Sequence, residues 1–277
     1  GYTYSLSALF EKSFHFGLDL AASYTFGHSK SVYDGTSSVA YSNWKYNYAV
    51  DSNNPGLAYS MFDIPHRVMV SVGYRTPRYA KGFMATTVSL VYNGYVGQRY
   101  SLTMNESYYD AEKKKTVYID YNGDGFGGNS LLYIPTEDEL QKMDFKTEED
   151  RQKFNEWIEG DSYAKKHRGA YAMRNSNSAP WENRVDLHVA QDIFVLKDRG
   201  SKFQVTFDVT NFANMLNKKW GTTYTAAYNV MPLQVIGNKK GEDGNYTNTY
   251  AYNSRNTITK NDVLSRWHAQ IGFKYIF

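Results

Sequence analysis

The chain has 277 residues, a formal net charge of +3, 17% aromatic residues and no cysteine. The lack of cysteine excludes disulfides and thiolate metal sites, and the small net charge gives no basis for nucleic-acid binding. Mean hydropathy is −0.61, and no run approaches the ~18 apolar residues of a membrane-spanning helix. A polar chain with 26 Tyr is nevertheless typical of transmembrane β-barrels, whose aromatic side chains lie at the membrane interface.

The first 26 residues predict two amphipathic strands. Residues 2–8 and 16–26 alternate between apolar and polar side chains, and Phe16, Leu18 and Leu20 begin the longer run. A period of two over about eleven residues matches a strand that crosses a bilayer at a tilt. The opposite face carries Asp, His, Ser and Thr, which a sandwich core would exclude and a barrel lumen would accept.

Five further strands are predicted, at 67–74, 84–92, 184–190, 203–210 and 266–277. Short polar turns are expected at 11–14, 75–82 and 197–202, and long extracellular loops at 28–63, 96–182 and 213–264. Because short and long connections alternate, every short turn falls on the side where the last strand ends, which is periplasmic in outer-membrane barrels. The sequence therefore predicts an all-β fold, a transmembrane antiparallel β-barrel embedded in outer-membrane lipid.

Seven strands do not suffice for a bacterial barrel, which closes with an even number. Open strand edges in lipid would leave backbone groups unsatisfied. We therefore expect residues 1–277 to be the carboxy-terminal part of a single barrel domain whose other strands lie upstream. Since Gly1 is not followed by a signal peptide, the leader was removed or the chain begins partway through a longer protein. A soluble β-sandwich is the alternative fold.

The longest loop is predicted to contain small helices. Thr147–Asp150 forms a capping box that opens a helix through Phe154, Trp157 and Ile158 to Gly160. A shorter helix is expected to begin at Thr136. With these signals, a loop of this length is expected to lie over the extracellular mouth and partly close it.

Residues 120–125 match the first half of a calcium-binding loop. Asp120, Asn122 and Asp124 stand at positions one, three and five, with Gly125 at position six. The bidentate Glu of position twelve is replaced by Leu131. The sequence leaves two alternatives open, a calcium site formed by Asp120, Asn122 and Asp124, or a Gly/Asn-rich turn without metal.

Charged residues on the predicted lumen face are candidates for contact with a ligand. They are Asp19, Arg67, Arg184, Asp186, Asp208, Arg266 and Lys274. Such residues either neutralise one another as a structural wall or line a substrate path. The chain has no HExxH and no GxSxG motif, and its histidines are scattered. We therefore expect no enzyme activity and no cofactor other than the calcium considered above.

A set of short motifs occurs in order along the chain. They are Phe62–Arg67, Asn122–Gly125, Leu132–Pro135, Arg168-Gly169, Ala179–Trp181, Asn211–Asn217 and the closing Gly272–Phe277. Together they resemble the carboxy-terminal end of TonB-dependent outer-membrane receptors, and especially the Oar-like branch found in Bacteroidota. The resemblance covers essentially the whole chain.

The resemblance implies a 22-stranded barrel around a plug domain, in which this chain would supply strands 16 to 22. It implies import of a nutrient ligand across the outer membrane of a Gram-negative bacterium, driven by the inner-membrane TonB complex. A surface lipoprotein is a further partner, and the barrel-assembly machinery is expected to recognise Phe277. The alternatives are a passive or structural barrel, for which an open channel would be the sign, and an outer-membrane hydrolase, whose converging Ser or Asp and His the sequence does not show.

Overall fold

The computed structural model describes residues 1–196, 201–226, 229–242, 244–255 and 258–277, and is mostly β-strand. Seven long strands form one antiparallel sheet in chain order. They are β1 (Tyr2–Ser13), β2 (Leu18–Ser31), β3 (His66–Arg75), β4 (Met84–Tyr95), β5 (Glu182–Leu196), β6 (Ser201–Thr210) and β7 (His268–Ile276). All seven predicted strands are therefore confirmed. A two-residue strand, Ala58–Tyr59, pairs with the end of β2.

The register of the sheet places apolar side chains on one face. In one cross-strand row, Leu20 of β2 aligns with Val72, Leu90 and Leu187 of the next three strands. Alternation then carries every second residue of each strand to the same side. Many of these side chains are exposed, among them Val72 (39%), Leu90 (40%) and Phe273 of β7 (82%). Such a face suits contact with lipid.

The other face of the sheet is polar. A neighbouring row contains Asp19, Gly73, Ser89, His188 and Asp208 from β2 to β6. The wall thus separates an apolar face from a polar one across the whole width of the sheet, as the alternation predicted. Among the described residues, no helix is long and apolar enough to cross a membrane.

The short turns differ slightly from the prediction. β1 stays paired with β2 as far as Ser13, so the first turn lies at 14–17 instead of 11–14. Gly17 has φ +94°, and a Cβ there would meet the carbonyl oxygen of Arg75 at 2.2 Å, so only glycine fits. The second turn lies at 76–83. The third was predicted at 197–202, and its residues 197–200 lie outside the described residues.

The last strand begins later than the sequence predicted. Arg266 and Trp267 precede β7, because the amide of Arg266 donates to the carbonyl of Val263 in a turn (3.3 Å). Arg266 therefore lies at the loop end of the sheet rather than on its polar face.

Within the described parts of the chain, the long connections contain four short helices and many short strands. The helices are α1 (Ala40–Lys45), α2 (Glu137–Lys142), α3 (Glu148–Gly160) and α4 (Phe212–Leu216), with a 3₁₀ turn at Ala164–Lys166. The short strands of the second loop are Arg99–Leu102, Ser107–Asp110, Lys115–Tyr118, Tyr133–Ile134, Asp144–Phe145, Ala170–Tyr171 and Asn177–Ser178. Those of the third are Tyr224–Thr225, Asn229–Val230, Leu233–Lys240, Tyr246–Tyr252 and Thr259–Lys260.

The predicted helix starts are both confirmed, with one difference. The hydroxyl of Thr147 accepts from the amide of Asp150 (3.1 Å) and caps α3. The complete reciprocal capping box stands instead at Thr136 and Glu139, which open α2. The longer side chain of Glu139 reaches back to the amide of Thr136 (2.9 Å).

The second and third loops fold into one unit, which we call the loop domain (described residues within 96–181 and 211–267). Its short strands join the two loops, since Ser101 and Leu102 pair in parallel with Asn229 and Val230. The core is formed by Tyr100, Leu102, Met104, Leu132, Ile134, Leu140, Phe145, Phe154, Ile158, Ala164, Ala172, Ala226, Val230 and Leu233. The principal core of the chain therefore lies above the sheet rather than on it.

Candidate functional site

A cavity of about 600 Å³ opens between the first long loop and the loop domain. Asp34, Asn43 and Tyr46 line it from the first loop, and Arg174 and Asn175 line it from the second. The volume lies in the range of sites for small ligands. We take this cavity as the candidate functional site.

A buried ion pair lies beside the cavity, which Arg99 lines. Asp63, from the motif before β3, accepts hydrogen bonds from Nη2 (2.7 Å) and Nε (3.0 Å) of Arg99. Its other oxygen accepts from the amide of Ser29 at the end of β2 (2.6 Å). The Arg99 guanidinium also lies 4.2 Å from the ring centroid of Tyr59. Because both charges are buried and satisfied, the pair fixes the first loop against the second.

Arg174 fixes a second wall of the cavity. Its guanidinium donates to the side chain of Asn47 and to the carbonyl oxygen of Ser31 (2.5 Å), and the Asp34 carboxylate lies 3.8 Å away. Burial lowers the pKa of Arg174, while the negative charge of Asp34 opposes that shift. Asn175 donates to Asp34 (3.2 Å), so these polar side chains are held in place before any ligand arrives.

The cavity also has aromatic surface. Phe62 and Tyr46 are 67% and 63% exposed and stand on its lining. Exposed aromatic rings beside fixed amides and a carboxylate can bind a ligand that has both apolar and hydrogen-bonding groups. No pattern in the sequence indicated this cavity, although Asp63 lies inside the Phe62–Arg67 motif.

Two of the charged residues predicted on the polar face pair with each other, and a third pairs with a histidine. Arg184 lies 3.1 Å from Asp186, whose carboxylate also accepts from the amide of Asn211 (2.7 Å). Asp208 lies 2.5 Å from Nδ1 of His188. These contacts agree with a structural wall.

Three more of the predicted residues lie apart from those pairs. Arg67 donates to the side chain of Asn93 (3.1 Å). Asp19 stands in a hollow of about 440 Å³ near the short turns, which Arg75 also lines. Lys274 aligns with Gln204 on the polar face. The structure thus distributes the predicted residues along the wall rather than in one cluster.

Asp192 is a polar-face residue that sequence reasoning missed. Its buried carboxylate accepts from Arg75 of β3 (2.7 Å) and from Lys202 (2.7 Å) and Gln204 (2.8 Å) of β6. Asp192 lies an even number of residues after Asp186 on the same strand. Extending the alternation beyond Gln191 would therefore have placed its side chain on this face. The cluster ties β3, β5 and β6 together near the short turns.

The predicted calcium loop is closed by hydrogen bonds from its own backbone and from neighbouring side chains. Asp120 accepts from the amides of Gly123 and Gly125 (2.8 Å each), and Asp124 accepts from Ser52 (2.5 Å) and Asn129 (2.7 Å). Within the described residues, no three His, Cys, Asp or Glu side chains form a metal-binding group. These bonds fit the alternative of a turn without metal, and calcium at Asp120, Asn122 and Asp124 stays a prediction.

A buried carboxyl group lies beside that turn. Glu106 is 4% exposed, and neither carboxylate oxygen makes a hydrogen bond of normal geometry. Burial raises the pKa of Glu106 to about 7, against the opposing effect of the neighbouring groups of Ser130 and Asn129. Glu106 is therefore substantially protonated near neutral pH. No pattern in the sequence indicated this residue, because its burial depends on distant contacts.

Phe277 is almost fully exposed after β7, and its ring lies 6.1 Å from that of Tyr275. Its recognition by assembly machinery stays a prediction.

Comparison with known proteins agrees with the geometry of the wall. A family model described as an outer membrane beta barrel domain matches residues 2–256. Searches of curated proteins and of solved structures found no match. An amphipathic antiparallel wall with short turns at one end and a folded loop domain at the other is the architecture that such a family requires. The chain therefore belongs to the outer membrane beta barrel domain family and lies in the bacterial outer membrane.

Proposed function

We propose that this chain forms part of the wall and of the extracellular mouth of a TonB-dependent importer, and that the cavity between the loops binds the imported nutrient. The observation that carries the proposal is the cavity itself, with aromatic and polar side chains already fixed by the Asp63–Arg99 pair and by Arg174. Such a site suits selective binding. In this proposal the protein binds and admits its ligand without chemical change.

The resemblance to TonB-dependent receptors of the Oar-like branch in Bacteroidota supports energised transport. The plug domain, the other strands of a 22-stranded barrel, the TonB complex and a surface lipoprotein are partners in this proposal. A passive or structural barrel is the second candidate. It is favoured by the paired charges of the polar face, such as Arg184 with Asp186, which leave fewer groups for a translocating ligand.

Uptake by whole cells tests the proposal. Cells of the native host would be given a peptide digest and an oligosaccharide mixture, and depletion from the medium would be followed by mass spectrometry. We expect Phe62→Ala combined with Tyr46→Ala to reduce depletion of a specific class of compound. An uncoupler that abolishes the proton gradient should have the same effect.

A matched control replaces exposed tyrosines elsewhere in the loop domain. Tyr109 and Tyr118 lie on the 107–118 hairpin, away from the cavity lining. The double variant Tyr109→Ala and Tyr118→Ala should therefore take up the ligand as the wild type does. Depletion that survives the uncoupler would indicate a passive pore. Depletion that is identical in all strains, including one lacking the protein, would indicate a structural barrel.

A further inference from the structure

A second hollow, of about 320 Å³, lies within the loop domain where its two loops meet. We call it the tyrosine pocket. The second long loop provides Tyr121, Tyr133 and Tyr171, and the third long loop provides Tyr250. Its volume lies at the lower end of the range of sites for small ligands. In the described part of the chain, none of the residues that line it also lines the cavity beside the first loop.

A pair of short strands places two of the rings side by side. Tyr133 and Tyr171 lie directly opposite each other in the pairing of Tyr133–Ile134 with Ala170–Tyr171. Directly opposed residues point to the same side of a strand pair. Their ring centroids lie 5.1 Å apart, at an interplanar angle of 66°. Because Tyr171 is 50% exposed, its ring is open to a ligand that approaches from solvent.

The inner end of the tyrosine pocket is apolar. Leu131, Leu233 and Met104 line it and are buried. Burial first, and the neighbouring Tyr250 second, raise the pKa of Tyr121, so this phenol stays neutral. The tyrosine rings therefore present uncharged faces, which their π-electrons make negative.

Glu139 is the one charged side chain among the described residues that line the tyrosine pocket. Its two carboxylate oxygens accept from the hydroxyl of Tyr133 (2.9 and 3.0 Å). Hydrogen bonds from the amide of Thr136 and then from that hydroxyl lower the pKa of Glu139, so the carboxylate is ionised near neutral pH. Because hydrogen bonds polarise the groups that they join, the ring of Tyr133 becomes more electron-rich.

This combination of groups favours a positively charged ligand. The face of a tyrosine ring attracts an ammonium group, most strongly where water is excluded. The carboxylate of Glu139 adds to that attraction and would repel an anion. Arg151 donates to the carbonyl oxygen of Met143 (3.3 Å), but its charge is paired with Glu148. The pocket is thus locally negative in a chain whose net charge is +3.

We propose that the tyrosine pocket binds the alkylammonium group of a small organic cation. The methyl or methylene groups of the ligand contact the faces of Tyr133, Tyr171 and Tyr250, and Glu139 supplies the opposite charge. Two kinds of molecule carry such a group, a free quaternary amine and a peptide with a lysine side chain. The site is separate from the cavity proposed for the imported nutrient and does not depend on import.

Calorimetric titration of the purified full-length protein in maltoside micelles tests this inference. The probes are choline, acetyl-lysine amide and dimethylbutanol, which is the uncharged isostere of choline. We expect choline to bind about tenfold more tightly than dimethylbutanol, from the usual strength of cation–π contacts. Tyr171→Leu, which removes a ring face and keeps an apolar side chain, should weaken choline binding about five-fold. Tyr171→Phe should retain most of the affinity.

A matched control is Tyr109→Leu, which changes an exposed tyrosine of the 107–118 hairpin and should leave choline binding unchanged. Heat-modifiable migration verifies that each variant is folded. Tighter binding of choline than of acetyl-lysine amide would identify a free quaternary amine as the ligand, and the reverse order would identify a peptide.

Three results would overturn the proposal. They are equal affinity for choline and dimethylbutanol, no binding of either cation, and a loss in Tyr109→Leu as large as that in Tyr171→Leu. If Tyr171→Leu does not fold, the comparison of choline with dimethylbutanol on the wild-type protein decides the matter, because it requires no variant.

Discussion

Buried charged residues in this protein fall into two kinds. Asp63 has several donors around one carboxylate, whereas Glu106 is equally inaccessible and has none of normal geometry. A buried carboxyl group without partners favours its proton. The two residues therefore respond differently to substitution.

Glu106→Gln should stabilise the loop domain at high pH. The pKa of Glu106 in the folded protein, about 7, is above its ordinary value of 4.5. The folded state thus holds the proton more tightly, and wild-type stability falls as pH rises from about 4.5 to about 7. We expect the variant to gain up to about 3 kcal/mol at pH 8 relative to its difference at pH 4.5.

Urea unfolding followed through the fluorescence of Trp157, which packs against the loop-domain core, would measure this effect. The exposed Glu112→Gln serves as the control and should show no such pH dependence. A Glu106→Gln difference that is the same at pH 4.5 and pH 8 would contradict the assignment.

Asp63→Ala should strongly destabilise the contact between the first loop and the loop domain. It leaves the Arg99 guanidinium buried without its carboxylate, which costs about 3–5 kcal/mol. Hydrogen exchange at the amide of Ser29, which donates to Asp63, would report the loss. Asp63→Leu combined with Arg99→Met should recover much of the stability, and an equal loss in the double variant would show that the pair itself is unimportant.

At the level of elements, the strands could be predicted from the sequence because the alternation of apolar and polar residues lies within each strand. β2 and β4 each carry their own period of two, so the sequence indicated both their existence and their facing. The ends were less accurate, since the limits of a strand depend on its neighbour. β1 continues through Glu11 and Lys12 because β2 offers them partners.

Val88→Arg should disrupt the wall, while Ser89→Arg should be tolerated. Val88 lies on the apolar face between Tyr74 and Val189, and Ser89 lies opposite Gly73 on the polar face, where space is available. Arginine on the lipid face near the midplane costs roughly 2–4 kcal/mol. Folding into lipid vesicles would measure both variants, and equal damage would mean that the facing is inverted.

The cavity could not be predicted in the same way. Asp63 and Arg99 are 36 residues apart and meet only when two loops have packed. The facing of Asp192 could have been predicted from the alternation, because it lies an even number of residues after Asp186 on the same strand. Glu106 was not, since its burial results from a turn more than a dozen residues later in the chain. Local patterns thus predicted the wall, whereas the site depends on long-range packing.

At the scale of the whole molecule, two packing systems share one chain. The sheet turns its apolar residues outward, and the loop domain collects its own around Phe154 and Ile158. Lipid stabilises the first system and the second is a small water-facing core. The two should therefore unfold separately.

Phe154→Ala should unfold the loop domain while the strands of the wall stay folded. Removing a fully buried Phe costs about 3–5 kcal/mol, a large fraction of the stability of a small core. Protease digestion of the membrane-embedded protein should then cut within 96–181, while the strands stay protected and migration remains heat-modifiable. Tyr109→Ala, on an exposed hairpin, should resist digestion like the wild type. Loss of the folded barrel in Phe154→Ala would show that the two systems are coupled.

This separation of wall and mouth has a consequence for how such proteins diversify. Substitutions at Asp34, Tyr46 or Phe62 alter the cavity without touching the cross-strand rows of the wall. The same frame can therefore acquire a new specificity through changes in its mouth while its insertion into the membrane is preserved. Rapid drift in the loops and slow drift in the strands would be the evolutionary record of that independence.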